Sequence, residues 1–124
     1  MKRLSIETHK YLSWFYLLLA CLGGILPTLA NIDFFNTYGP GFDINLFIEL
    51  ANSNPAASSL SRDLLIGATA VTVWIVFESK RLQMKYLWVI LLSSFTIAFA
   101  FAAPLFLCLR ERRIIELINQ GEIV

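Results

Sequence analysis

Two carboxyl groups flank a short apolar stretch of the chain and are the side chains best placed for proton chemistry. Asp63 precedes and Glu78 follows the uncharged residues 64–77. Acidic groups at membrane depth are costly and are functional candidates by default. If the protein is an enzyme, Asp63 or Glu78 is expected to act as the acid on an isoprenoid or lipid. Small integral terpene cyclases provide the analogy for that chemistry.

Both carboxyl groups also have a structural interpretation. Asp63 can cap its helix. It can also pair with Arg110, which is expected at the same boundary of the membrane as Asp63. Glu78 can pair with Arg81 three residues later, or with Lys85. We prefer these structural ion pairs, because a charge at membrane depth is usually paired.

The remaining reactive side chains form no recognisable site. His9, the single histidine, could bind a metal or a pigment magnesium, but a metal site needs several converging ligands, and His9 is expected to be solvated. Cys21 and Cys108 are expected at different depths, so no disulfide is predicted. The sequence has no Ser-His-Asp set, phosphate loop, dinucleotide fingerprint or basic nucleic-acid face. We therefore predict no metal, no cofactor and no nucleic-acid partner.

Composition indicates a membrane protein. Hydrophobic residues make up 57% and charged residues 15% of the 124, against about 45–50% and about 25% in soluble domains. Residues 11–32, 64–77 and 86–109 contain no charged residue or histidine, and a spanning helix needs about 20 apolar residues. Residues 64–77 are too few to span the membrane, so the middle helix must include flanking residues. Its lack of a polar face argues against a soluble helical hairpin. We predict an all-α, single-domain integral membrane protein with three transmembrane helices at residues 11–32, 59–78 and 86–109.

Two further helical segments are predicted outside the spans. Asp43 is a good N-cap, and apolar residues follow it at helical spacing as far as residue 51. Residues 43–52 are therefore expected to form an amphipathic helix in the membrane interface, or one packed on protein. Asn54-Pro55 would end that helix. Residues 110–120 are expected to continue the third span as a helical extension.

The N-terminal segment has features of a secretion signal. Met1-Lys2-Arg3 precedes an apolar run, and Leu18-Leu19-Ala20-Cys21 matches a lipoprotein box. However, residues 22–30 stay largely apolar, whereas signal sequences have apolar regions of about 7–15 residues. We therefore expect the first span to be a retained anchor.

Basic residues predict the orientation of the three spans. An N-terminus inside and a C-terminus outside would put six basic residues in the cytoplasm and four outside. The cytoplasmic set is Lys2, Arg3, Lys10, Lys80, Arg81 and Lys85. The arginines at 110, 112 and 113 fit this orientation poorly, although acidic residues would face them. The expected location is the bacterial inner membrane, or the thylakoid in a cyanobacterium.

Small residues and prolines are expected to shape the packing between helices. Ala20, Gly24 and Thr28 recur at four-residue spacing in the first span, which can bring helices close together. Pro104 removes a backbone donor and leaves the Ala100 carbonyl free, so a kink is predicted there. A second kink at Pro27 would open a shallow space at a similar depth.

The order of these features resembles a bacterial and cyanobacterial domain-of-unknown-function family of small integral membrane proteins. The similarity covers roughly residues 11–113. Its most specific blocks are Asp63-Leu64-Leu65, Glu78-Ser79-Lys80-Arg81 and residues 104–112. The resemblance implies a three-helix membrane protein and carries no established activity.

The sequence favours a non-enzymatic accessory or interaction subunit of a larger membrane assembly. Its expected partners are the lipid bilayer and either another protein or further copies of itself. A membrane enzyme that uses Asp63 or Glu78 is the alternative.

Overall fold

The computed structural model describes residues 4–39, 43–96 and 98–122, and all regular structure in these ranges is helical. The helices are α1 (Ile6–Tyr38), α2 (Ile44–Ala51), α3 (Pro55–Arg81), α4 (Leu87–Thr96) and α5 (Phe99–Asn119). The all-α prediction is confirmed.

The first three helices begin at side-chain caps. Ser5, Asp43 and Asn54 each accept a hydrogen bond from the backbone N–H three residues later. These bonds satisfy donors that a helix start otherwise leaves unpaired. Pro55 occupies the first turn of α3, where a missing N–H costs nothing. A helix follows Asp43 as predicted and ends before Asn54.

The connection from α3 to α4 is a tight reversal centred on Gln83. The N–H of Met84 donates to the Ser79 carbonyl at 2.9 Å, and the N–H of Gln83 donates to the Lys80 carbonyl at 3.2 Å. This bonding is a Schellman motif, which needs a left-handed residue. Gln83 has φ 54° and takes that position. Gly121, with φ 80°, has the equivalent place after α5.

The predicted single span 86–109 is wrong. The helix stops at Thr96, and a new helix starts at Phe99, five residues before Pro104. Ala98 has an extended backbone there, and its N–H donates to the Ser93 carbonyl at 3.2 Å. So short a connection makes α4 and α5 antiparallel neighbours.

Folding α4 back on α5 builds the main apolar core. Ile75 of α3, Ile90 of α4 and Phe106 of α5 are each at most 2% exposed and pack together with Ala102. Burial of these side chains stabilises the folded-back arrangement of α4 and α5. A single straight helix could not bring Ile90 against Phe106. The tertiary contacts therefore decide the break.

Helix α5 runs antiparallel to α1 over much of its length. His9 contacts Glu111, and Gly23 lies against the backbone of Ala100. The beginning of α1 and the ends of α3 and α5 thus meet at one end of the molecule, here called the basic end. The other end, called the far end, holds the end of α1, the helix α2 and the start of α3.

Helices α1 and α3 are long and apolar enough to cross a membrane, and they are the two such candidates in the described ranges. In the described part of the chain, no Cα atom of α1 lies within 8 Å of a Cα atom of α3. Large apolar side chains on both are exposed, including Ile25 and Leu29 of α1 and Leu60 and Ile66 of α3.

Candidate functional site

A group of titratable side chains from α1, α3 and α5 meets at the basic end. We call it the polar cluster, and its members are His9, Glu78, Arg81, Arg110 and Glu111. It stands next to the apolar core, and its histidine and two glutamates are buried. Buried polar groups need hydrogen-bonding partners, and each of these has one.

The buried pair His9–Glu111 joins α1 to α5. His9 is 6% exposed and Glu111 is 3% exposed, and the Nδ1 atom of His9 is hydrogen-bonded to the Oε2 atom of Glu111. Ser13, one turn after His9, is buried as well, and its hydroxyl donates to the Lys10 carbonyl at 2.8 Å. This face of α1 is therefore polar where it meets α5.

Glu78 binds two arginines, Arg81 on its own helix α3 and Arg110, which joins α3 to α5. Arg81 donates from Nε and Nη2 to the two carboxylate oxygens, at 3.0 and 2.7 Å. Arg110 donates from Nε to Oε1 at 3.0 Å. The guanidinium of Arg110 also lies 5.6 Å from the ring centre of Trp74, a cation–π distance. Charge-assisted bonds of this kind give both strength and fixed geometry.

Arg110 connects the two carboxylates into one network. Its Nη1 atom donates to Glu111 at 3.3 Å while its Nε atom donates to Glu78. Three helices are therefore linked from His9 to Arg81 by a continuous run of hydrogen-bonded side chains. Removal of Glu111 would leave the buried His9 without its hydrogen-bond partner.

The structure pairs the sequence-predicted site residues differently from expectation. The Glu78–Arg81 pair is present. Arg110, however, bonds to Glu78, not to the expected partner Asp63, which lies exposed near the start of α3. The reason is the break before α5, which returns Arg110 to the basic end. Asp63 and Glu78 lie 15 positions apart on one helix, about 22 Å.

Arg112 and Arg113, the next two arginines after Arg110, are also at the basic end. Arg112 lies over the ring of Trp14 at 5.5 Å. Arg113 donates to the Leu82 carbonyl at 2.9 Å and to Glu116 at 2.7 Å. Neither arginine is near the far end.

Sequence reasoning missed the role of His9, which was expected to be solvated. The signal lay in the helical spacing of His9, Ser13 and Ala20, the buried residues of α1. Positions four and seven residues apart share one face. Glu111, the partner, gave no sign of burial because charged residues surround it in the sequence.

The cluster has the chemistry of a proton-exchanging or structural site. A histidine and a carboxylate in contact can pass a proton between them. In the described ranges, no group of three or more His, Cys, Asp or Glu side chains could hold a metal. Cys21 is exposed, Cys108 is buried, and both are free thiols.

A shallow apolar groove lies between α1 and α5, away from the polar cluster. It has a volume of about 500 Å³ and borders Pro27, Gly23, Ala100 and Pro104. The sequence predicted a space near the two prolines, and the groove stands there. The described atoms lining it are almost all apolar.

Comparison with known proteins identifies one family. Residues 15–112, about four fifths of the chain, match the family model described as protein of unknown function DUF2834. No curated protein and no solved structure matches the chain.

Proposed function

The chain belongs to the DUF2834 family of proteins of unknown function, and we propose that it is a small multi-pass membrane protein. In this proposal it works as an accessory or interaction subunit of a larger membrane assembly, through the exposed sides of α1 and α3. Both helices would span the bilayer, and the pair α4–α5 would enter it from the basic end and return.

The observation that carries the proposal is the exposure of two long apolar helices. Leu60, Leu65 and Ile66 of α3 are 71%, 68% and 71% exposed. Monomeric soluble proteins rarely expose contiguous apolar surface of this length. Lipid tails, or apolar helices of a partner, cover such a surface without cost.

The dimensions of the α4–α5 pair suit a re-entrant hairpin. Ten residues of α4 rise about 15 Å, roughly half of an apolar layer of about 30 Å. Backbone that turns inside a membrane needs internal hydrogen bonds or protein around it. The Ala98–Ser93 bond and the approach of Ala100 to Gly23 supply both.

The distribution of basic residues supports a cytoplasmic basic end. Of the eight lysines and arginines in the described ranges, only Arg62 lies at the far end. The seven at the basic end are Lys10, Lys80, Arg81, Lys85, Arg110, Arg112 and Arg113. Cytoplasmic loops are enriched in such residues.

The expected arrangement with the N-terminus inside and the C-terminus outside does not agree with the His9–Glu111 contact, because that contact puts both ends of the described chain on one side. The re-entrant arrangement also removes the misfit of the arginines at 110, 112 and 113. The proposed location is the bacterial inner membrane, or the thylakoid in a cyanobacterium.

Gly67 marks a surface of α3 on which a partner could pack closely. A Cβ atom built there meets nothing within 4 Å, so this side of the helix is open. Small residues allow close approach of helices in membranes.

The test is the native size of the tagged chain after carbonate extraction and mild solubilisation of membranes. We expect it to stay with the membrane and to migrate as a complex larger than the monomer. Gly67→Leu should release the monomer, whereas Gly121→Asn, a substitution outside both spans, should not. A wild-type monomer in the membrane fraction would contradict the interaction role, and extraction by carbonate would contradict membrane insertion.

The enzyme alternative makes a different prediction. If the chain is an enzyme, a copurified isoprenoid or lipid should be converted to product. Asp63→Asn or Glu78→Gln should abolish this conversion without dissociating the complex.

A further inference from the structure

A cavity at the basic end combines an apolar floor with two cations that form no ion pair in the described part of the chain. It lies between the α3–α4 reversal, residues 83–86, and the last turns of α5 from Leu109 to Gln120. Its volume is about 480 Å³, within the range of about 300–1,000 Å³ that small-molecule sites have. The polar cluster lies outside this cavity, because none of its members lines it.

Two cations at the cavity are not neutralised by an acidic side chain. Within the described ranges Lys85 and Arg112 form no ion pair. Arg113, by contrast, is held by Glu116 and by the Leu82 carbonyl. Lys85 and Arg112 are both exposed, so the cavity has an excess of positive charge at its mouth.

Aromatic side chains indicate the depth of the cavity in the bilayer that the proposed function requires. Tyr86 lines the cavity and is 62% exposed, and Trp88 follows it on the surface. Trp14, under the guanidinium of Arg112, is exposed too. Trp and Tyr collect where lipid headgroups meet the apolar layer. The mouth of the cavity is therefore at headgroup level, if the chain spans the membrane.

The floor of the cavity is suited to the part of a lipid below its phosphate. Met84 and Leu109 line the cavity beside the cations, and both pack against the apolar core. A ligand with one anionic phosphate and an apolar continuation matches this order of surfaces. A free phosphate ion would leave the apolar floor uncovered.

From these features we propose that the cavity is a binding site for the phosphate headgroup of an anionic phospholipid. Lys85 and Arg112 contact the phosphate, and Met84 and Leu109 contact the start of the acyl region. The inference rests on the proposed membrane insertion. Basic pockets on the cytoplasmic side of membrane proteins bind such headgroups by the same chemistry.

The test is native mass spectrometry of the purified full chain released from nanodiscs that contain equal amounts of phosphatidylglycerol and phosphatidylcholine. Wild type should retain one phosphatidylglycerol. Lys85→Gln combined with Arg112→Gln should lower that retention by about tenfold, since each basic residue near an anionic surface contributes appreciably. The matched control, Lys10→Gln with Lys80→Gln, removes two charges from the same end outside the cavity and should keep retention within about twofold of wild type.

Further arms separate the possible outcomes. Lys85→Arg with Arg112→Lys keeps both charges and should retain the lipid, which distinguishes charge from a folding defect. Equal loss in the cavity variant and the matched control would overturn the site, because it would indicate general surface attraction. Inorganic phosphate that raises the melting temperature while no lipid is retained would overturn the lipid assignment.

The two proposals fail in different ways. Carbonate-resistant membrane association with equal retention of both lipids contradicts only the cavity proposal. Loss of the chain from the membrane fraction contradicts the proposed function itself.

Discussion

At the residue scale, Gly23 is a point of close approach between α1 and α5. A Cβ atom built on Gly23 would overlap the carbonyl oxygen of Ala100. That carbonyl is the one deprived of its helical donor by Pro104, which has no N–H. Gly23 and Pro104 thus act together. The missing side chain of Gly23 leaves room for the Ala100 carbonyl, which lacks a hydrogen-bond donor within α5.

Gly23→Ala should destabilise the protein by about 1–3 kcal/mol, since backbone would have to move to admit the methyl group. Gly67→Ala is the matched control for the chain isolated as a monomer, because a Cβ there meets no atom of the chain within 4 Å. It should be neutral or stabilising by about 0.5–1 kcal/mol through the gain in helix propensity. Melting of both variants in detergent measures the difference, and equal effects would contradict the close approach at Gly23.

The buried pair His9–Glu111 provides a second prediction at this scale. Glu111→Ala leaves the buried His9 without its hydrogen-bond partner, and His9→Ala leaves the buried Glu111 with Arg110 as its remaining partner. Each substitution should cost about 2–4 kcal/mol. The double variant should cost less than the sum of the two, since it removes both groups. Four melting curves complete the cycle, and strict additivity would show that the two side chains do not interact.

At the scale of single elements, the α4–α5 hairpin is the feature that sets the topology. It returns α5 to the end where α1 begins, so residues at the two sequence extremes of the described chain lie on one side. A continuous third span would separate them.

Cysteine labelling in cells distinguishes these arrangements once Cys21 and Cys108 are replaced. We expect a cysteine at Tyr38 to react with an impermeant maleimide, and cysteines at Gln83 and Asn119 to stay unlabelled until the membrane is opened. Labelling at Asn119 together with Tyr38 would support the continuous span and contradict the hairpin.

The reversal after α3 offers a test of local strain. Gln83 has φ 54°, a conformation that glycine adopts with less strain than other residues. Gln83→Gly should therefore leave the fold intact. The free energy of unfolding should stay the same or rise by up to about 1 kcal/mol. Gln83→Val should have the opposite effect. Thermal unfolding in detergent ranks the three chains, and a more stable valine variant would contradict the left-handed turn.

At the scale of the whole molecule, the two ends differ in how tightly they are held. The basic end is tied by the polar cluster and by the core around Phe106. The far end has α2 between α1 and α3, with Phe47 of α2 against Phe34 and Ser61 donating to the Ala51 carbonyl at 2.8 Å. Between these ends, the sides of α1 and α3 that do not pack on α5 expose large apolar side chains, such as Leu26 and Leu65.

This difference predicts unequal effects of the two flanking carboxyl groups. Glu78→Gln should cost about 2–4 kcal/mol, because two guanidinium groups lose a charged acceptor. Asp63→Asn, at an exposed position, should change stability by at most about 0.5 kcal/mol. Detergent melting temperatures compare them directly, and an equal loss for Asp63→Asn would indicate a partner for that carboxyl outside the described contacts.

The sequence alone determined the helical class, the cap at Asp43 and the pair Glu78–Arg81. These follow from local rules, since a cap or an ion pair at three-residue spacing depends only on neighbours in the chain. The lengths of the apolar segments in α1 and α3 likewise follow from the residue composition of those segments.

Tertiary structure decided the break after Thr96, the burial of His9 with Glu111 and the choice of Glu78 as the partner of Arg110. Residues 86–109 contain no charged residue, and a helix can carry Ser93, Ser94 and Thr96 without a break, so the sequence pattern does not distinguish one long helix from two short ones. Packing of Ile90 and Phe106 against α3, and of Ala100 against Gly23, makes the reversal favourable. That reversal then brings Arg110 and Glu111 to residues far away in the sequence, which periodicity cannot predict.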